Sequence, residues 1–184
     1  MAEAGQIRTD ELDAEREARR RVALAQIRQY PDPVLRMRAH AIEQFDGELA
    51  RLAERMISLM GEAAGVGLAA NQVGVLQRIF VFQPSAEEEP RALVNPEIVE
   101  RGEEAEADDE GCLSMQGVLV PVERTLRVTI AGRDPSGEEV RIELEDMAAR
   151  VLQHELDHLD GVLIIDRTTA EGRREALAVL RQAV

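Results

Sequence analysis

Gln153-His154-Glu155-Leu156-Asp157-His158-Leu159-Asp160-Gly161 is the stretch on which the reading of this chain turns. It contains the pattern H-E-x-x-H, and a helix projects histidines four residues apart from one face, so both imidazoles can take corners of one tetrahedral metal site. Working backwards, Met147, Val151, His154 and His158 recur at i, i+4, i+7 and i+11 and mark a buried stripe, with Arg150, Gln153, Asp157 and Asp160 on the other side. The pattern predicts a helix from a cap at Asp146 to about Asp160, stopped by Gly161, and a site that is internal and largely dry. Glu155 lies about 100° round the helix from His154, close enough to reach a water on the metal. A single histidine on an apolar face would read as a core imidazole, but two of the three in the chain share this frame. The third, His40, fits no motif and reads as structural or exposed.

A catalytic site of this kind needs one more protein ligand. Zincin-type peptidases take it from a residue downstream of the motif. Here no histidine follows His158, and Asp166, Glu171 and Glu175 fall in no ligand frame. The only cysteine, Cys112, cannot form an internal disulfide, so it is either a buried small hydrophobe or a chemically used thiol. As a thiolate it completes a set of Cys112, His154 and His158 with a fourth position for water, and Gly111 beside it lets the backbone approach a ligand. These ligand types admit Fe(II), Zn, Ni or Co.

Composition narrows the classes around this site. With 22 basic and 36 acidic residues the net charge is -14, which argues against a DNA- or RNA-binding domain, because phosphate contacts need clustered cations. Every basic residue is Arg, which excludes a Schiff-base lysine and a P-loop lysine. The hydrophobic fraction of 45% supports a real core, built from aliphatics because there are only three Phe, one Tyr and no Trp. No stretch approaches a membrane span and Met1 to Leu24 lacks a signal-peptide core, so the expectation is a cytoplasmic protein with no membrane contact.

The remaining elements follow from pattern. Residues 1–26 read as a charged helical extension, with Glu15/Arg19 and Glu17/Arg21 at i,i+4 spacing, and the globular part begins near Ile27. Asp46 or Gly47 opens a helix to about Ala63 whose apolar face carries Leu49, Leu52, Met56, Leu59 and Met60. Gly65 to Gly74 is a shaped glycine loop, Arg78–Phe82 a short strand, and Ala92–Glu100 another with Pro96 at an edge or bulge. Leu126–Ala131 and Glu139–Leu144 form a hairpin around Asp134-Pro135-Ser136-Gly137. Val162–Ile165 reads as extended and Ala170–Gln182 as a terminal helix. The segment Gln83–Gly111 holds eleven acids and two arginines. Its run from Glu103 to Asp109 is expected as a solvated loop at the mouth of the site that disfavours acidic peptides.

Three separated motifs carry a resemblance: Gly65-Val66-Gly67-Leu68-Ala69-Ala70-Asn71-Gln72, Glu110-Gly111-Cys112-Leu113-Ser114, and the stretch from Gln153 to Gly161. Together with Tyr30-Pro31-Asp32-Pro33-Val34-Leu35 they make the chain, from about Ile27 to Leu180, similar to the peptide deformylase family. The resemblance implies an α+β fold of small antiparallel sheets around a central metal-binding H-E-x-x-H helix, with a C-terminal helix and a catalytic domain over 27–184. It implies hydrolytic removal of the formyl group from the N-terminal formyl-methionine of nascent peptides, releasing formate.

It also assigns roles. Cys112, His154 and His158 hold one divalent metal, Fe(II) physiologically, with Zn, Ni or Co in purified material. Glu155 is the general acid/base, and the Gln72 amide and Leu113 backbone N–H stabilise the oxyanion. Val66, Gly67, Gly111, Leu113, Met147 and Val151 bind substrate, with Arg150 as a further wall residue. Arg124 is a candidate partner for Glu110 or Asp157, and Arg173, Arg174 and Arg181 offer a thin surface for transient ribosome contact. Relatives often have Pro where this chain has Gln116 in Ser114-Met115-Gln116-Gly117. Two rivals are a catalytically silent deformylase-like peptide- or ribosome-binding protein, which would be expected to have lost Glu155 or a ligand, and a zincin-type peptidase, which lacks its ligand here.

Overall fold

The computed structural model describes residues 2–182, with side chains from Asp13 onward. Helix α1 spans Ala2–Leu24 and α2 spans Gly47–Glu62. Asp46 caps α2 by accepting hydrogen bonds from the Glu48 and Leu49 amides at 2.9 and 3.1 Å. Strands β1 (Gly67–Ala69), β2 (Ile79–Phe82), β3 (Arg91–Arg101), β6 (Arg127–Arg133) and β7 (Glu139–Glu145) form an antiparallel sheet in the order β1-β2-β3-β6-β7. Strands β4 (Ala105–Cys112) and β5 (Met115–Thr125) form a separate hairpin. Helices α3 (Asp146–Leu159), α4 (Ile164–Arg167) and α5 (Ala170–Gln182) complete the chain.

The two-residue period of β2 sorts its side chains to two cores. Ile79 and Val81 pack with Leu49, Met56, Leu59 and Met60 of α2, while Phe80 and Phe82 pack with Val151, Leu152 and Leu159 of α3. A third core joins Met115, Val118, Val120 and Val122 of β5 to Ile164, Ile165, Ala176 and Leu180. The last turn of α1 is not solvated, since Ala23 and Leu24 are buried in the α2 cluster. Pro96 sits where the β3–β6 register shifts, as a residue without an N–H requires.

Four expectations are corrected. Helix α3 is buried on nearly all sides: Arg150, Gln153 and Asp157 are buried, whereas Met147 is 59% exposed. The reason is a second neighbour, because the face turned from the sheet meets the β4–β5 hairpin, where ion pairs take the place of apolar packing. Asp146 is the first helical residue, at φ 50°, rather than the cap, and Glu145 precedes it without a side-chain cap. Val162–Ile165 does not run extended; it leads into α4, whose Asp166 accepts from the Leu163 amide at 2.9 Å. An apolar run of four carries no period that separates strand from helix. The acidic run is largely strand, because Ala105–Glu110 pairs residue by residue with Val120–Thr125 of β5. The Glu and Asp content disfavours a strand, but pairing with a partner that buries Val120 and Val122 overrides propensity. Ala170–Gln182 agrees with its expected bounds.

Candidate metal centre

Helix α3 brings His154 and His158 onto one side, and the turn between β4 and β5 delivers Cys112 to them. Cys112 Sγ lies 3.2 Å from His158 Nε2, which lies 3.2 Å from His154 Nε2, and the three atoms fall within 4.8 Å of one another. A tetrahedral ion bound at about 2.0–2.1 Å to nitrogen and about 2.3 Å to sulfur sets ligand atoms about 3.3–3.6 Å apart. The set therefore fits a mononuclear site of Cys112, His154 and His158 with little adjustment.

Two of these three groups, His154 and Cys112, are held from behind, whereas the buried His158 Nδ1 has no hydrogen-bond partner among the described residues. His154 Nδ1 is 3.0 Å from Glu110 Oε2. Glu110 in turn accepts from Arg124 Nε and Nη2 at 2.9 and 3.0 Å and from Arg150 Nη1 at 2.9 Å. Arg124 continues to Asp157 Oδ2 at 2.6 Å, and Asp157 also receives Arg167. Arg124 therefore joins both of the partners considered for it. Burial opposes ionisation of Glu110, but the hydrogen bonds from His154 and Arg124 prevail and hold it down at about 2. A permanent carboxylate fixes the ring orientation and raises the basicity of the ligand nitrogen. The Ser114 amide points to Cys112 Sγ at 3.4 Å.

Glu155 is buried, and its Oε2 has no hydrogen-bond partner among the described residues. Burial pushes its carboxyl up to about 7, a value poised to take and return a proton near neutrality. Gly67 makes room for it, because a Cβ on Gly67 would overlap the Glu155 carboxylate. Gln72 comes from the 3-10 turn Ala70–Val73. Its Oε1 accepts the Ala69 amide at 2.8 Å, which turns Nε2 toward the site, 3.1 Å from Ser114 Oγ and 3.7 Å from Cys112 Sγ.

A cleft of about 510 Å³ opens over this centre. Gln72, Cys112, His154 and Glu155 line it, and so do all the expected substrate residues, Val66, Gly67, Gly111, Leu113, Met147 and Val151. His158 is buried, and His40 lies outside the cleft, exposed and bridged to Gln77. Sequence reasoning passed over Ser114, although it stands inside a motif. It also passed over Gln29, whose Nε2 donates to the Leu113 carbonyl at 3.0 Å, and Arg167; no local signal marks either.

Two imidazoles from an H-E-x-x-H helix, a cysteine sulfur and a buried glutamate beside an open cleft define the class: a metallohydrolase with an α+β fold. The family model for polypeptide deformylase matches residues 24–174. Peptide deformylase of Thermotoga maritima is 49% identical over 147 residues, covering 80% of this chain and 88% of that protein. That of Desulforudis audaxviator is 42% identical over 154 residues, covering 84% and 99%. The crystal structure of the Thermotoga maritima enzyme aligns with a TM-score of 0.75 at 50% identity, over 78% of this chain and 96% of that one. A Legionella pneumophila peptide deformylase aligns at 0.80 and 38% identity, over 85% and 92%. The chain belongs to the polypeptide deformylase family. No described helix is long and apolar enough to cross a membrane.

Proposed function

We propose that this chain performs the deformylation of its family through the roles read from its motifs: Cys112, His154 and His158 hold one divalent metal, Glu155 moves the proton, and Gln72 with the Leu113 N–H receives the charge on the formyl oxygen. The observation that carries this is the convergence of Cys112 Sγ, His154 Nε2 and His158 Nε2 beside a Glu155 oxygen that has no hydrogen-bond partner among the described residues. When bound, the ion supplies Lewis acidity, making a water molecule acidic near neutral pH and drawing charge from the formyl oxygen.

The chain's own groups do the rest. Gln72 and the Leu113 amide donate to the oxygen that gains charge when the formyl carbon becomes tetrahedral, and one such donor is worth about 2.7–4 kcal/mol of barrier. Glu155 accepts the proton of the attacking water and returns it to the leaving amine, releasing formate. Met147 and Val151 flank the methionine side chain, while Val66, Gly67 and Gly111 meet the extended peptide backbone. Residues 1–26 are read as an extension to a catalytic domain over 27–184.

Fe(II) is the proposed physiological ion. A ferrous site with a thiolate ligand is open to oxidation, so the iron form is expected to lose activity in air and the nickel form to keep it. The same reading places the protein in the cytoplasm with transient ribosome contact through α5, where Arg173 and Arg174 already pair with Asp166 and Glu171. Formate release from formyl-Met-Ala-Ser by wild type and Glu155→Ala is the direct test. Wild type should turn over in the iron or nickel form and the variant should fall by about 10²–10⁴-fold with its metal retained; an inactive wild type in both forms refutes the reading.

A further inference from the structure

One wall of the cleft comes from outside most of the family match. The match begins at residue 24, whereas α1 runs Ala2–Leu24, and Arg20 and Leu24 of this helix line the same cleft as Cys112 and Glu155. The helix end is anchored there. Ala23 and Leu24 are buried against α2, and Arg20 Nε donates to the Ala63 carbonyl at 3.4 Å. Ala63 leads within two residues to Gly65, which sits so close to Leu113 that a Cβ would meet that side chain at 2.7 Å. Arg20 therefore stands beside the glycine loop at the cleft mouth.

Its guanidinium has capacity to spare. The carboxylate nearest to it among the described residues is Glu17, 3.9 Å from Nη1, and the two side chains are 44% and 58% exposed, so the pair is weak. The other charged groups of the cleft are committed or opposed. Glu110 and Arg150 pair with each other, Glu155 belongs to the reacting centre, and exposed Asp109 stands on the wall formed by β4. Of the acidic run Glu103–Asp109 expected to repel acidic peptides, Asp109 alone among the described residues lines this cleft, while Glu103 and Glu104 line a different groove with Arg127. Among the described residues the cleft thus carries one weakly paired cation, Arg20 on α1, and one exposed anion, Asp109 on β4.

Resting on the deformylase reading above, we propose that Arg20 is a specificity-determining residue that recognises an acidic side chain on the residues following formyl-methionine. A planar guanidinium distinguishes a carboxylate from the isosteric amide through paired charge-assisted hydrogen bonds, which neither Leu24 nor the apolar rim can do. Because the contact is remote from the formyl carbon, it enters through KM. Partial exposure limits it to about three- to fivefold at low ionic strength, and salt reduces it.

The test uses the full-length, metal-loaded protein and amidated peptides, comparing formyl-Met-Glu-Ser with formyl-Met-Gln-Ser and formyl-Met-Ala-Glu with formyl-Met-Ala-Gln. The readout is the Glu/Gln ratio of kcat/KM, in which any general loss of activity cancels. Wild type should favour Glu about three- to fivefold in one of the two pairs. Arg20→Ala should bring that ratio to one, Arg20→Glu should push it below one, and Arg20→Lys should keep part of the preference. A ratio that is the same in wild type and in Arg20→Glu overturns the proposal, as does an equal loss on every peptide, which would make Arg20 only an anchor for α1. Wild type that releases no formate from amidated formyl-Met-Ala-Ser would instead sink the underlying functional reading.

Discussion

Replacing Gly67 by Ala should cost about 10²-fold in kcat while leaving the metal in place. Gly67 does not have a positive φ, so its backbone does not demand glycine. The demand comes from Glu155: an added Cβ would lie 2.8 Å from the carboxyl carbon and 2.9 Å from Cγ, and would overlap Oε1, where ordinary contacts begin at 3.4 Å. The strand cannot retreat easily, since Gly67 is paired opposite Phe82 and the Gln83 amide bonds the Val66 carbonyl at 2.9 Å. The carboxylate must therefore give way by about 1 Å, and a misplacement of that size costs about 10²-fold. The three atoms nearest that Cβ all belong to Glu155 and none to His154, His158 or Cys112, so affinity for the ion should persist. The assay is formate release at saturating formyl-Met-Ala-Ser, with metal content measured on the same sample. A kcat within threefold of wild type at full occupancy would refute the argument that this glycine exists to seat Glu155.

Other outcomes follow from the same contacts. Glu110→Gln leaves the buried Arg124 and Arg150 short of a carboxylate; it should lower stability by about 3–5 kcal/mol in urea unfolding and weaken metal retention about 10–100-fold against a chelator. A loss below 1 kcal/mol would show that the network is not built around this charge. Burial opposes ionisation of Asp166, but Arg36 and the Leu163 amide prevail and hold its pKa below the ordinary 3.8. The stability it contributes is thus present above about pH 4 and lost as pH falls through the folded value. Asp166→Asn should cost about 1 kcal/mol at pH 7, a figure kept low because the pair is partly exposed, and the gap to wild type should close in acid. A gap that stays constant down to pH 2 would contradict this. Gly61→Ala, in α2 with nothing within 4 Å of the new Cβ, should stabilise by about 0.5–1 kcal/mol with unchanged formate release, and a lower melting temperature would count against it.

The helices and most strands were legible because each presents a periodic face to one neighbour. α2 does so against β2, and α5 against β5. Periodicity misled where an element has two neighbours. In α3 the polar positions Arg150, Gln153 and Asp157 look solvent-facing but meet partners on β4 and β5 that are distant along the chain, Glu110, Thr125 and Arg124. β4 was hidden for the related reason that its acids face water or a buried arginine, and neither leaves an apolar alternation to read.

What the sequence by itself determined is the chemistry on offer: H-E-x-x-H spacing is a local property of a helix, and the chain holds a single cysteine to join the two histidines. Tertiary structure alone decided how that chemistry is held. The Glu110–Arg124–Asp157 chain behind His154, the Gln29 amide on the Leu113 carbonyl, and the placement of Arg20 at the cleft all join residues far apart in sequence. Such contacts obey no spacing rule, because the distance between two side chains across a packed interface depends on how the sheet, the hairpin and the helices stack.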